Sequence, residues 1–295
     1  MKSYTFYVKT NSYPSQIGPF VKYTGVPNAI KYGALYNFEI DTGLPFETKR
    51  MARVYLPEDY DGQKSFPVMY MSDVQNAVDK YLTAYGEWDI DEHMHALIKS
   101  GHQSFIIAGI DCPKNPYNRM KEYTITKAHI KTRRNVSFET HGEQYADFII
   151  NTLKPLVDKY FKTLPDRNHT AFGGSSMGGL CSFDIVSLHP EIFSFALVFS
   201  PAFFVLKQRE YRDEIKNRPF TINEQKFYFY SGNKDLDIKI LPGTIKMYNY
   251  LKDIGYDDNH IKLVVDNNMG HSEKAWSKHF INGALYWENE NVKER

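Results

Sequence analysis

Short apolar runs separated by turn residues dominate the middle and the C-terminal half of the chain. They cover residues 66–71, 105–110, 170–172, 195–199, 227–230 and 261–265. Continuous apolar runs of this length are typical of strands that are buried on both faces, as in a parallel sheet covered by helices. Two earlier segments, residues 35–40 and 51–56, alternate roughly between apolar and polar positions. That alternation predicts antiparallel strands with one more hydrated face.

Stretches with helical periodicity lie between the strand-like runs. Residues 87–97 form one, and residues 144–160 form the clearest, with a single apolar stripe made by Phe148, Ile149, Leu153, Leu156, Val157 and Tyr160. The alternation of strand and helix over about 220 residues predicts an α/β fold with a doubly wound, mostly parallel sheet, antiparallel N-terminal strands and helices on both faces. Residues 1–30 are rich in turn signals, so we expect an irregular segment packed on one domain of residues 31–295.

Charge and composition exclude several classes of protein. The chain has 36 Lys and Arg against 35 Asp and Glu, a formal net charge of +1, and 42% hydrophobic residues. These values are typical of a folded globular protein and argue against a partner that is a nucleic acid or an anionic membrane.

Two cysteines cannot form a disulfide framework. The N-terminus lacks the apolar segment of a signal peptide, so the cytoplasm is the default expectation, and a removed export signal would leave the same sequence.

The segment Gly174-Ser175-Ser176-Met177-Gly178 matches the pattern G-x-S-x-G. It follows a short strand-like run and leads into a helical pattern, which is the strand–turn–helix setting of a nucleophile elbow. This predicts Ser176 as a nucleophile and the backbone N–H of Met177 as a donor to an oxyanion. The alternatives are a phosphate-binding turn or a plain tight turn. A phosphate loop would have a lysine after the last glycine, where this chain has Leu180.

Two later strand ends supply partners for a nucleophilic serine. Asp235 follows the run at residues 227–230, and His271 follows the run at residues 261–265. Since the C-terminal ends of parallel strands meet at one edge of the sheet, the order Ser176, Asp235, His271 predicts a catalytic triad. Asp237 is the rival acid, and Asp266 is a weaker one because it precedes the loop. No metal-ligand cluster and no nucleotide-binding motif is visible, so we expect neither a metal nor another cofactor.

Several segments together resemble the esterase D-like putative esterase family of the α/β-hydrolase superfamily, over roughly residues 48–288. They are residues 66–76, Gly86-Glu87-Trp88-Asp89, Glu122-Tyr123-Thr124, residues 174–180, Ser200-Pro201, and Gly270-His271 with Trp276. The resemblance implies an α/β-hydrolase fold and hydrolysis of carboxylic esters, including feruloyl and acetyl esters of sugars and siderophore esters. It also implies that the backbone N–H of Gln75 is the second oxyanion donor.

Two positions depart from the pattern of that family. Val74 stands where the family has a glycine, and a β-branched residue disfavours the positive φ that a glycine permits. This puts the geometry of the second oxyanion donor in question. Glu273 stands where an aromatic residue is common, and a carboxylate there would change which substrates are accepted.

We therefore expect a serine esterase that forms an acyl-enzyme and acts on a small-molecule ester, such as an acyl or aryl ester of a sugar or another small alcohol. An acyltransferase with the same triad and a non-catalytic binding protein on the same fold remain as alternatives. The sequence leaves the oligomeric state open.

Six aromatic residues are expected near the mouth of the site: Trp88, Tyr117, Tyr123, Phe203, Phe204 and Trp276. Core packing is the alternative role for Phe203 and Phe204. A basic cluster, Lys127, Lys131, Arg133 and Arg134, is a solvated surface or an anchor for an anionic substrate.

Overall fold

A computed structural model describes residues 13–83, 85–126 and 139–288. In these ranges the strands build a single sheet of ten: β1 Gln16–Ile17, β2 Phe20–Lys22, β3 Ala34–Asp41, β4 Lys49–Leu56, β5 Val68–Met71, β6 Ile106–Ile110, β7 Thr170–Ser175, β8 Phe195–Phe199, β9 Lys226–Gly232 and β10 Ile261–Asp266. All eight strand-like segments of the sequence form strands. The predicted mixed sheet is confirmed.

The order of the strands across the sheet is β1-β2-β3-β4-β6-β5-β7-β8-β9-β10. Strands β1 to β4 pair antiparallel with their neighbours, and β4 pairs antiparallel with β6. From β6 onward every pairing is parallel, with β5 between β6 and β7. The C-terminal ends of β7, β8, β9 and β10 therefore lie side by side at one edge.

Helices cover both faces of the sheet. The described residues contain α1 Ile90–Lys99, α2 Pro116–Glu122, α3 Gly142–Phe148, α4 Lys154–Tyr160, α5 Met177–Leu188, α6 Gln208–Ile215, α7 Asp237–Asp253 and α8 Glu273–Glu288. Helices α1 and α8 pack on one face, where Trp88 and Phe280 belong to the same apolar cluster. Helices α3 to α7 contribute to the larger cluster on the other face. Successive residues of β5 alternate between the two clusters, which explains the continuous apolar runs.

Two local features differ from the sequence-based expectation, and one helix was not predicted. Residues 16–22 were expected to be irregular, but they form β1 and β2 and extend the edge of the sheet. The predicted helix at residues 144–160 is interrupted by a π-helical turn, Ile149–Leu153. Pro155 follows this turn and lacks the N–H that would continue the α-helical ladder. Helix α7 contains Pro242 inside it, so its sequence resembles a turn.

In the three described ranges, no helix combines the length and the apolar character that crossing a bilayer requires.

A buried ionic network fixes α5, the helix that follows the elbow, to the segment after β8. Arg218 Nη1 lies 2.6 Å from Asp184 Oδ1, and the Tyr211 hydroxyl donates to the same oxygen at 2.7 Å. Both charged side chains are almost inaccessible to solvent. Each charge is therefore stable in the core only while the other is present.

We expect Arg218→Ala to lower the free energy of unfolding by about 3–5 kcal/mol, because Asp184 would remain buried without its counter-charge. Denaturation in urea measures the change. The matched control is Lys216→Ala, which removes the exposed partner of Asp213 and should change stability by less than about 1 kcal/mol. Equal effects of the two substitutions would contradict the role given to the buried pair.

Candidate active site

Ser176 occupies a strained turn between β7 and α5. Its backbone has φ 60° and ψ −121°, a conformation that L-residues rarely adopt. Gly174 makes the turn possible, since a Cβ there would lie 2.8 Å from the carbonyl group of Gly178. The strand therefore passes directly into the helix, with Ser176 at the N-terminus of α5, as the elbow motif predicts.

The ends of β9 and β10 bring a histidine and a carboxylate together. His271, in the loop after β10, has its Nδ1 2.7 Å from Oδ1 of Asp237, the first residue of α7. Asp237 is fully buried, whereas the His271 side chain remains partly accessible. If Nδ1 carries the proton that is donated to Asp237, Nε2 is free to accept one.

Two further donors hold the Asp237 carboxylate. The Ser200 hydroxyl donates to Oδ2 at 2.8 Å, and the backbone N–H of Gly232 donates to the same oxygen at 2.8 Å. The indole N–H of Trp276 donates to the Ser200 hydroxyl at 3.0 Å, and its ring meets His271 edge-on at 4.9 Å between centroids. One connected network thus orients both members of the pair.

The carboxylate that contacts His271 is not the one preferred from the sequence. Asp235 has φ 53° and sits in the turn before α7, with its carboxylate against the backbone of Gly270. The backbone N–H of Asp237 bonds to the carbonyl of Lys234, which closes this turn and directs Asp237 toward His271. The prediction of Asp235 as the partner of His271 is therefore corrected to Asp237.

Ser176 follows β7, which is separated by β8 from the strands β9 and β10 that precede this pair. Its N–H bonds to the carbonyl of Phe199, and its carbonyl accepts from the N–H of Ala202. Ser200, between those two residues, is the one that contacts Asp237. In the described part of the chain no hydrogen bond joins the Ser176 hydroxyl to His271. Hydrogen bonds of this kind often form fully only when substrate is bound.

Both amides predicted to face an oxyanion are without an acceptor among the described residues. In the described ranges neither the Met177 N–H nor the Gln75 N–H donates to a protein group. Gln75 belongs to a short 3₁₀ helix, Val74–Asn76, and its side chain is held by Cys112 through two hydrogen bonds, at 3.1 and 3.2 Å. This leaves both N–H groups available to a ligand.

Val74 does not disturb this loop in the way that its β-branch suggests. The positive φ of 56° falls on Asp73, while Val74 lies inside the 3₁₀ helix and is buried. Its side chain packs against Gly109 of β6. The substitution of the family's glycine is thus accommodated by core packing.

A partly buried ion pair anchors the same loop at Asp73. Arg119 donates from Nε and Nη2 to the two oxygens of Asp73, both at 2.7 Å. The Asp73 N–H donates to the Tyr123 hydroxyl at 3.0 Å, and the guanidinium of Arg119 lies over the Tyr123 ring. A bidentate pair fixes both distance and orientation, so it stabilises the left-handed residue before the loop.

Three of the six aromatic residues expected near the mouth of the site are packed in the core instead. Trp88, Tyr123 and Phe203 are at most 1% exposed. Trp88 stacks on Phe199, and Phe203 packs on Phe183. These ring faces are therefore buried in core contacts and are not available to a substrate. Phe204 is half-buried against the larger cluster, and Tyr117 is exposed. The basic cluster at residues 127–134 lies outside the described residues.

A protein-family model described as "Putative esterase" matches residues 45–285 of the chain. The chain belongs to the putative esterase family. The resemblance seen in the sequence is therefore confirmed, and membership of this family supports ester hydrolysis as the class of activity.

Individual relatives agree with this assignment. The uncharacterized protein YbbA of Bacillus subtilis (strain 168) is 23% identical over 249 residues, which cover 81% of this chain and 92% of YbbA. The siderophore hydrolase EstA from Aspergillus nidulans has a TM-score of 0.69 at 14% identity, covering 90% of this chain and 98% of EstA. A mutant feruloyl esterase module from Clostridium thermocellum complexed with sinapinate has a TM-score of 0.60 at 16% identity, covering 94% and 96%. These structures show the α/β-hydrolase fold.

A polar cavity of about 430 Å³ opens next to the loop that carries His271. Charged side chains dominate its lining in this esterase: Glu87, Asp89, Asp91, Glu92, Glu273, Lys31, Lys80 and Lys274. Tyr81 and Tyr85 stand exposed at its rim. Among the described residues no group of three or more His, Cys, Asp or Glu side chains is arranged to hold a metal ion.

Sequence reasoning assigned no role to three polar residues of this region. Ser200, Arg119 and Asn76 each position or contact a predicted site residue. Ser200 had a usable signal, because it is the first polar residue after the buried strand β8. The roles of Arg119 and Asn76 depend on tertiary contacts that spacing along the chain does not reveal.

Burial raises the pKa of Glu87 to about 7, with a further contribution from Asp89, Asp91 and Asp79 that outweighs the opposing effect of Lys80. The folded state thus binds this proton more tightly than the unfolded state does. The stability that this group contributes is present at low pH and is lost as the pH rises from about 4.5 through about 7.

We therefore expect Glu87→Gln to leave stability almost unchanged near pH 4 and to raise it near pH 8, by up to about 3 kcal/mol. Urea denaturation at several pH values measures the difference between the variant and the parent. The control is Glu143→Gln at an exposed position, which should give no such trend. A constant difference across the pH range would contradict the assignment to Glu87.

Proposed function

We propose that this chain is a serine carboxylic-ester hydrolase with Ser176 as nucleophile, His271 as general base and Asp237 as the orienting acid. The hydrogen bond of 2.7 Å between His271 Nδ1 and Asp237 Oδ1 carries the proposal. It stands at the sheet edge where the elbow presents Ser176, and it follows the chain order Ser…Asp…His of this fold. Family membership supports the ester as the bond that is cleaved.

The chemistry proceeds through a covalent acyl-enzyme. Ser176 Oγ attacks the carbonyl carbon of the ester as its proton passes to His271 Nε2, while Asp237 stabilises the imidazolium that forms. When the tetrahedral intermediate collapses, the bond to the alcohol oxygen breaks and His271 returns the proton to the leaving alcohol. Water, deprotonated in turn by His271, then attacks the acyl carbonyl. When the second tetrahedral intermediate collapses, the bond to Ser176 Oγ breaks, His271 returns the proton to Oγ, and the acid is released.

The amides of Met177 and Gln75 are proposed to stabilise the oxyanion of each tetrahedral intermediate. Neither N–H group has an acceptor in the part of the protein that the structure describes, and the Met177 N–H lies in the first turn of α5. The first N–H groups of a helix carry partial positive charge, so they favour negative charge that develops nearby. The bonds between Asp73 and Arg119 would keep Gln75 in place without a contact to substrate.

Ser176→Ala is expected to reduce kcat/KM for p-nitrophenyl acetate by at least about 10³-fold, because no nucleophile remains for acyl transfer. A fluorophosphonate probe should label the parent protein at Ser176 and leave the variant unlabelled. Retained activity of the folded variant would reject the serine mechanism. An unlabelled and inactive parent protein would instead favour a non-catalytic binding protein.

A second pair of variants separates the two aspartates. Asp237→Asn should lower kcat/KM by about 10²–10⁴-fold, since an amide cannot stabilise the imidazolium or fix its tautomer. Asp235→Asn should leave kcat/KM within about threefold, as expected of a residue outside the hydrogen-bond network of His271. Steady-state kinetics with one ester measures both. The reverse order of effects would restore Asp235 to the triad.

A further inference from the structure

The polar cavity is connected to the proposed catalytic centre through Glu273. This residue follows His271 by two positions, begins α8 and lines the cavity. It is 9% exposed, and burial raises the pKa of its carboxyl, as does the negative charge of Asp73. The positive charge of Arg119 and that of a protonated His271 oppose this shift, so the carboxyl of Glu273 is electrostatically coupled to the proposed triad.

Acceptor atoms without donors accumulate at this junction. In the described residues Asn76 is the only side chain that hydrogen-bonds Glu273, through Nδ2 at the long distance of 3.5 Å. Asn76 is 8% exposed, and its Oδ1 has no partner. Glu87 also lines the cavity, and its Oε2 is buried with no partner among the described residues. Buried polar atoms are rarely left unsatisfied, so these oxygens of Asn76 and Glu87, together with the weakly bonded carboxylate of Glu273, favour a ligand that brings donors.

The other acidic side chains of the cavity already have partners. Glu92 pairs with the Lys31 ammonium, and Asp91 accepts from the backbone N–H groups of Lys31 and Tyr32. Asp89 accepts from the Ser277 hydroxyl at 2.8 Å. The lining holds five carboxyl groups against three lysines, so its net charge is negative when all are ionised. The ligand that suits this wall is a donor that also carries positive charge.

We propose that the cavity is a subsite for a protonated amine on the ester substrate, with Glu273 as the residue that selects it. The proposal rests on the proposed function, because it places the subsite beside His271. A hydrogen-bonded ammonium would satisfy the acceptors of Glu273 and offset the negative charge of the wall. A neutral alkyl group in the same place would leave buried acceptors unsatisfied, which is a source of strong discrimination.

Two pairs of isosteric esters test the proposal on both sides of the ester bond. In the first pair the alcohol varies: 2-(dimethylamino)ethyl acetate against 3-methylbutyl acetate. In the second pair the acyl group varies: p-nitrophenyl 6-(dimethylamino)hexanoate against p-nitrophenyl 7-methyloctanoate. Hydrolysis is followed near pH 8, where the amines are largely protonated. For the two acetates kcat/KM is obtained by titrating the acid that is released, and for the two p-nitrophenyl esters by the release of p-nitrophenol.

We expect the amine to exceed its isostere by about tenfold or more in at least one pair, as a charge-assisted hydrogen bond provides. Glu273→Gln should reduce that ratio by about tenfold. The matched control is Glu92→Gln, which removes the same charge from the same cavity at a residue already paired with Lys31, and it should preserve the ratio. Circular dichroism verifies that each variant is folded.

The outcomes separate the two proposals. If both ratios in the parent protein are near one, the subsite proposal is overturned whatever the variants do. Equal losses in Glu273→Gln and Glu92→Gln would overturn the selection by Glu273, since the field of the cavity as a whole would then be the cause. If Ser176→Ala hydrolyses all four esters like the parent, the proposed function itself fails.

Discussion

The buried carboxylate of Asp237 is the group on which the arrangement of this site depends. A fully buried carboxylate is costly unless donors satisfy its oxygens. Here the donors come from three places: Ser200 after β8, Gly232 at the end of β9 and His271 after β10. The order of the parallel strands makes these three places adjacent. The loops at this edge are therefore coupled, because a shift in any one of them removes a donor from the same buried group.

Trp276 extends this coupling to the packing of α8. Its indole donates to Ser200 and meets His271 edge-on, while its ring packs near Trp88 in the apolar cluster beneath. Ser200 itself has φ 40°, a strained conformation that persists only where the surroundings determine it. Its N–H bonds to the carbonyl of Tyr230, and its hydroxyl lies between the indole and the carboxylate. Helix α8 thus contributes to the site by fixing the orientation of the histidine and its acid.

The sequence predicts those parts of the fold that depend on local pattern and on chain order. Continuous apolar runs identified the central strands, because such strands are buried on both faces. The strand–turn–helix segment at Ser176 was recognisable because glycine is required where strand and helix approach closely. The choice between Asp235 and Asp237 was not predictable, since it depends on the left-handed turn at Asp235. The helix that begins at Asp237 was not predicted either, and its sequence contains Pro242, a residue that is unusual inside a helix. The effect of Val74 depends on its packing against Gly109, which lies 35 positions away in the sequence.

The aromatic residues illustrate how composition and position lead to different conclusions. The chain has 22 Tyr, 20 Phe and 3 Trp, and a surplus of this size is equally compatible with an aromatic pocket and with an aromatic core. Most of the aromatic residues that the sequence placed near the mouth of the site are packed in the core. Trp88 stacks on Phe199, and Phe203 packs on Phe183. Rings packed in this way form a rigid, poorly hydrated support, in which polar interactions are stronger than in water. Recognition at the open side of His271 is then left to Glu273 and its polar neighbours, whose few hydrogen bonds act against that apolar background.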